Sequence, residues 1–156
     1  MSHVSHFTRR TAVLIEAARE SANSMQSDYV GAEHILHTLV SLQGSIAEEI
    51  LREYGLTSER IHAEITAGKP QAKKALQVRA EDLPYSSRSK KVLEFAMKNS
   101  VEAGRREVTT GDILVGLMEE KPTVASLALH KLGITAEYLG DIKDEVTAKY
   151  EFNKEE

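Results

Sequence analysis

Apolar residues recur along this chain at helical spacing, and almost nowhere in the alternation of a half-buried strand. Over 8–27, Leu14, Ile15, Ala18, Ala22 and Met25 fall close to one face of a helix. Thr8 stands before it as an N-cap, where a hydroxyl accepts a bond from an orphan first-turn amide. A second helix over 32–42 gathers Ile35, Leu36, Leu39 and Val40. A third fits 46–54, where Ser45 and Glu48 have capping-box spacing and Gly55 supplies the left-handed residue that stops the helix. A fourth starts after Thr57 or Ser58 and carries Ile61 and Ile65. From 68 to 82 the texture changes. Lys69, Lys73, Lys74, Arg79, Glu81 and Asp82 crowd a stretch whose large apolar residues, Leu76 and Val78, form no stripe, so it reads as a linker.

The pattern then starts again. Tyr85-Ser86-Ser87-Arg88 repeats Phe7-Thr8-Arg9-Arg10 at a shift of 78 residues, and the register holds without a gap through the next fifty or so positions. Glu16 falls on Glu94, Ala18 on Ala96, Val30 on Val108, Ile35-Leu36 on Ile113-Leu114, Leu51 on Leu129 and Gly55 on Gly133. The matches sit at caps, helix stops and core positions, which marks an internal duplication. A unit of about 60 residues buries only about 60% of its unfolded surface, against about 68–70% for a domain of about 150 residues. Two quartets therefore gain by packing their apolar faces together. The expected fold is all-α, a single domain of eight helices arranged as two pseudo-twofold-related four-helix repeats. Repeat one spans 7–67, a charged linker 68–83, repeat two 84–150, and a polar tail expected to fray 151–156.

Composition narrows the function. The 156 residues carry 20 Lys+Arg against 24 Asp+Glu, a formal net charge of −4. That balance argues against a nucleic-acid partner, whose phosphates require a net basic face. With 5% aromatic residues and no Trp, the core must be aliphatic. The lack of cysteine removes disulfides, thiolate nucleophiles and cysteine-ligated metals. No uncharged apolar run reaches the roughly 18 residues of a membrane span, and the start lacks the basic-then-apolar order of a signal peptide. The expected setting is the cytoplasm, away from membranes.

Candidate chemistry is sparse. There is no phosphate-cradling glycine loop, no nucleophile elbow and no H-E-x-x-H, so no enzyme and no cofactor are expected. Glu33, His34 and His37 are the nearest approach to a metal motif, but further ligands are scarce, and repeat two has Asp112 and Val115 where the histidines stand, so no metal is expected. The basic residues Lys69 to Lys91, and Arg105-Arg106 after the helix stop Gly104, read as solvated charge. More suggestive are the helix starts at Thr8 and at Gly31-Ala32-Glu33. First-turn amides attract anions and a carboxylate attracts cations, so such a place suits a mixed group. Equally, Thr8 simply caps and Glu33 simply complements the helix dipole.

Phe7-Thr8-x-Arg10, Val30-Gly31-Ala32-Glu33-His34-Ile35-Leu36, Ile46-Ala47, Leu51, Gly55-Leu56, and the same frame restarting at Tyr85-Ser86-Ser87-Arg88-Ser89-Lys90-Lys91-Val92 resemble the amino-terminal domain of Clp ATPases, the ClpC type nearest. The similarity runs from about Phe7 to Tyr150. It implies a non-catalytic protein-interaction module that docks substrates or adaptor proteins for an unfoldase ring. The implied partners are Clp ATPase or protease subunits, adaptors, and unfolded or marked substrate proteins. The resemblance also implies an alternative, binding of phosphorylated arginine in one pocket per repeat. The first pocket maps onto Thr8 and Glu33. In the second, Ser86 and Lys90 match, but Gly111 stands where the family has Glu, so the guanidinium partner is missing unless Asp112 substitutes.

Overall fold

The computed structural model describes residues 6–67, 79–153 and 156. Among them are eight α-helices: α1 (Arg9–Ser24), α2 (Ala32–Ser41), α3 (Ile46–Glu53), α4 (Ser58–Thr66), α5 (Ser87–Glu102), α6 (Thr110–Glu119), α7 (Val124–Lys131) and α8 (Leu139–Phe152). Local chemistry sets their starts. Thr8, Ser45, Thr57, Ser86, Thr109 and Thr123 each accept a first-turn amide through a side-chain oxygen, and such a cap contributes about 1 kcal/mol. At Ser45 the capping box is half made: Ser45 accepts from Glu48 N at 3.1 Å, while Glu48 reaches back to Gly44 N rather than to the cap. Gly55 and Gly133 end α3 and α7 with φ of +77° and +99°, a conformation that only glycine enters without strain.

The duplication is kept to the residue. α1, α2 and α3 fall on α5, α6 and α7 at the 78-residue shift, with identical lengths. The fourth helices differ: α4 has nine residues, whereas a short 3-10 turn (Ala136–Tyr138) leads into the fourteen of α8. The repeats interlock by exchange. α3 packs on α6, and reciprocally α7 packs on α2; α4 lies against α7, and α8 against α3. The interface between them is an aliphatic core built from residues such as Leu14, Leu36, Leu39, Ile50, Ile61, Ile113 and Leu114. On α1 the buried stripe is Thr11, Leu14, Ala18 and Ala22, leaving Ile15 and Met25 at its margin.

Two short parallel pairings complete the exchange. His6–Phe7 (β1) pairs with Glu107–Val108 (β2), and Val30 bridges Tyr85 in the same sense. Two-residue strands are too short to leave an alternating signature in sequence. Most of the expected linker lies outside the described residues. Its last part does not behave as one: Ala80–Asp82 forms a 3-10 turn, Leu83 is buried, and Arg19 Nε donates to Leu83 O at 3.3 Å. The tail also departs from expectation. α8 continues through Phe152, and Glu156 is only 4% exposed.

Candidate functional site

The parallel pairings bring helix starts together across the repeats. The Phe7–Val108 pairing sets the start of α1 beside the start of α6, with Thr8 N donating to Val108 O at 3.0 Å. The Tyr85–Val30 bridge does the same for α5 and α2: Ser86 N donates to Val30 O at 3.0 Å, and Ser89 Oγ to the same oxygen at 2.7 Å. Two junctions result, α1–α6 and α5–α2. Thr8 thus stands with Thr110 and Gly111, while Ser86 stands with the Gly31–Glu33 start of α2. The candidate pocket residues pair between repeats, not within one.

At the α5–α2 junction, Ser86 is half-buried and caps α5. Glu33 is largely buried, and its carboxylate folds back over Gly31, where a Cβ would collide with Oε1. Lys90 is exposed on the first turn of α5. His34 is committed to the helix start, its Nδ1 accepting from Gly31 N at 2.8 Å, which places the ring proton on Nε2. His37 turns elsewhere, to Ser21 Oγ at 3.2 Å and to the His62 ring at 4.9 Å between centroids. Partial burial first, and then the charge of His62, lower the His37 pKa from its ordinary 6.5. Among the described residues no group of three or more His, Asp or Glu is placed to hold a metal ion.

The α1–α6 junction is built differently. Asp112 cannot take the role of the absent glutamate, because its carboxylate is fully buried and already holds a guanidinium. Arg105 grips it through two nitrogens, each at 2.7 Å, and Asn99 Nδ2 and Thr109 N add bonds at 2.7 and 2.8 Å. Arg105 is accordingly not the solvated charge its sequence context implies: its side chain is 6% exposed and lies over the Tyr150 ring. Desolvating Asp112 requires a cation and several donors. Gly111 also leaves no room for a side chain, since a Cβ there would stand 2.6 Å from Val146 Cγ2 and 2.8 Å from Ile46 Cγ2.

Repeat two carries an apolar groove that neither junction includes. A cavity of about 740 Å³ is lined by Met118, Pro122, Leu127, Leu129, Ile134 and Ala136 among others, and Leu127 is 58% exposed. Its counterpart in repeat one is Glu49, paired with Lys149 at 3.7 Å. Sequence spacing points to Leu127 as one more apolar residue of α7; only the packing shows that it faces outward. Among the described residues no helix is long and apolar enough to cross a membrane.

Comparison with known proteins agrees with this architecture. The negative regulator of genetic competence ClpC/MecB of Bacillus subtilis is 34% identical over 131 residues, which cover 83% of this chain and 15% of that protein. The chain therefore spans about 15% of the length of this curated relative. The crystal structure of the N-terminal domain of the chaperone ClpD from Arabidopsis thaliana superposes with a TM-score of 0.70 at 20% identity, covering 95% of this chain and 96% of that one. The ClpV N-domain in complex with a VipB peptide gives 0.68 at 18% identity, covering 92% and 90%. These two likenesses concern the fold. Residues 6–132 match the Clp repeat (R) N-terminal domain family, and the chain belongs to that family.

Proposed function

We propose that this chain is a non-catalytic docking module of a Clp chaperone or protease system, receiving adaptor proteins or unfolded or marked substrates. Membership of the Clp repeat family carries the reading. The apolar groove beside α7 supplies a place for it, because open apolar surface rimmed by polar residues is typical of protein contacts. A standard contact buries about 800 Å² on each partner, so a partner seated in this groove would also reach surface beyond it. A reducing cytoplasmic setting suits a chain without cysteine. Pull-down with the immobilised chain is expected to recover Clp subunits, adaptors or damaged proteins, and Leu127→Glu to reduce that recovery about tenfold, the loss of one well-packed hot spot. Repeated pull-downs that recover none of these proteins would remove the reading.

A second reading, recognition of phosphoarginine, is favoured at one junction only. Ser86 and the Glu33-bearing start of α2 are held side by side there, whereas Gly111 and Asp112 deprive the other junction of a guanidinium partner. Calorimetry with phosphoarginine tests it. Weakened binding in Glu33→Ala supports it, and unchanged affinity excludes the Glu33 pocket.

A further inference from the structure

His37 belongs to neither junction, and the fold gives it a partner that its sequence neighbours do not suggest. It lies half-buried within α2, and the helix packed there is α4, which carries His62 exposed to solvent. The two rings are 4.9 Å apart between centroids and tilted by 51°. His34, three residues before His37, takes no part, because its Nδ1 is held by Gly31 N at 2.8 Å. The spacing of His34 and His37 is thus not the pairing that forms; the pair comes from two helices.

Ser21 of α1 sets the orientation of the His37 ring. Its hydroxyl donates to Met25 Sδ at 3.9 Å and lies 3.2 Å from His37 Nδ1, so its oxygen accepts from Nδ1–H. The lone pair of His37 is then on Nε2. A polar group holding the far N–H is what orients a metal-binding histidine. The ring spacing agrees. A histidine nitrogen stands about 2.0–2.1 Å from a zinc ion. Two such ligands set about 90–109° apart around one ion bring their ring centroids to about 4.5–5.2 Å. The observed 4.9 Å falls inside that interval. Helix packing by itself does not call for an imidazole here, since repeat two buries Val115 at the position matching His37.

We propose that His37 and His62 form a site for a divalent cation of the zinc class, ligated by one imidazole from α2 and one from α4, with water completing its coordination. Imidazole suits zinc, copper and nickel, whereas magnesium and calcium take oxygen donors. Two protein ligands leave positions open, so the ion exchanges with solvent on the side of the exposed His62 ring. Bound there, it ties α4 to α2 and stabilises repeat one by mass action, because unfolding separates the two rings. This inference stands apart from the docking reading, since the pair lies in repeat one and the α7 groove in repeat two.

Imidazole resonances of the full chain, followed by NMR during titration with zinc chloride, provide the test. His130, exposed on α7, is the internal reference for a histidine that binds alone. The His37 and His62 signals should move together and saturably, with a midpoint at least tenfold below that of His130. His62→Gln should raise the His37 midpoint at least tenfold, and because His62 is exposed, the variant should melt as the unaltered chain does when zinc is left out. If it does not, His37→Val, which installs the residue of repeat two, should raise the His62 midpoint by the same factor. Magnesium chloride should move neither ring. His37 and His62 midpoints that differ from each other or match that of His130, a His37 midpoint indifferent to the loss of His62, an equal response to magnesium, or no response to zinc would overturn the site.

Discussion

Positions 33 and 111 are the same place in two copies of one helical unit, and they carry opposite solutions. Glu33 folds its carboxylate over the start of its own helix, while Gly111 is closed over by Val146 and Ile46 with no space for a side chain. The next position diverges as well. His34 makes a local bond to Gly31 N, whereas Asp112 anchors a buried network with Arg105, Asn99 and Thr109. Caps, stops and core tolerate little change because each is fixed by local physics. The first turn of the second helix faces the junction, so there the repeats diverged. One junction keeps a carboxylate from the second helix, and the other receives one from Glu156.

The sharpest way to break this comparison is to remove the cation that only repeat two needs. Arg105→Ala leaves Asp112 fully buried and without its guanidinium, and an uncompensated buried charge costs about 3–5 kcal/mol. His34→Ala, at the position matching Asp112, removes one bond at a helix start and should cost only about 1 kcal/mol. Urea unfolding of the two variants measures the difference, and similar losses would show that Asp112 is not the charged centre of its network. Gly111→Ala comes next. Its methyl group must displace Val146 or Ile46, and such overpacking costs about 1–3 kcal/mol. Glu33→Ala should be far milder, because that position already holds a side chain; equal melting temperatures for the two alanine variants would refute the closure at Gly111.

How much of this the sequence discloses depends on the distance over which each feature is decided. The caps Thr8 and Ser45 act on amides three residues away, so spacing alone places them, whereas at the fourth helix spacing admits Thr57 or Ser58 and the structure selects Thr57. The duplicated register discloses the eight-helix frame in the same way. Glu156 bonds Thr110 and Ile46 across 46 and 110 residues, and nothing near it in sequence marks it as different from the polar residues around it. The Arg105–Asp112 pair spans only seven residues, yet Arg105 reads as solvated charge until the fold buries it against Asp112. The pairing of Thr8 with α6 and of Ser86 with α2 is a property of how the repeats exchange, which no spacing within one repeat contains.

Helix stops supply a smaller contrast. Gly55 and Gly133 both hold positive φ, and a Cβ at either would meet nothing within 4 Å. Gly133→Val should therefore cost only backbone strain, about 1–2 kcal/mol, and Gly55→Val the same. Unequal losses in thermal melts would show that the two stops have ceased to be equivalent. At the end of the first helix the copies already differ: Gln26 holds φ of +61° where repeat two has Gly104 at +76°. Gln26→Gly relieves that strain against a higher cost of ordering glycine, and a gain of roughly 0.5 kcal/mol is expected. A loss would mean that the Gln26 side chain contributes more than its backbone costs.

The smallest effect is also confined to one repeat. His37 and His62 pack together in repeat one, whereas repeat two has Val115 at the position matching His37. Burial, and then the charge of His62, lower the His37 pKa in the folded chain from 6.5. Below its ordinary value His37 therefore binds more proton when unfolded than when folded. Stability gained from this group is full above about 6.5 and is lost as the pH falls from there through the folded value. Urea unfolding at pH 7 and pH 5 should show a smaller loss on acidification in His37→Val, which installs the residue of repeat two, than in the unaltered chain. Unchanged pH dependence in the variant would show that the histidine pair carries no acid sensitivity of its own, and that the two repeats respond to acid alike.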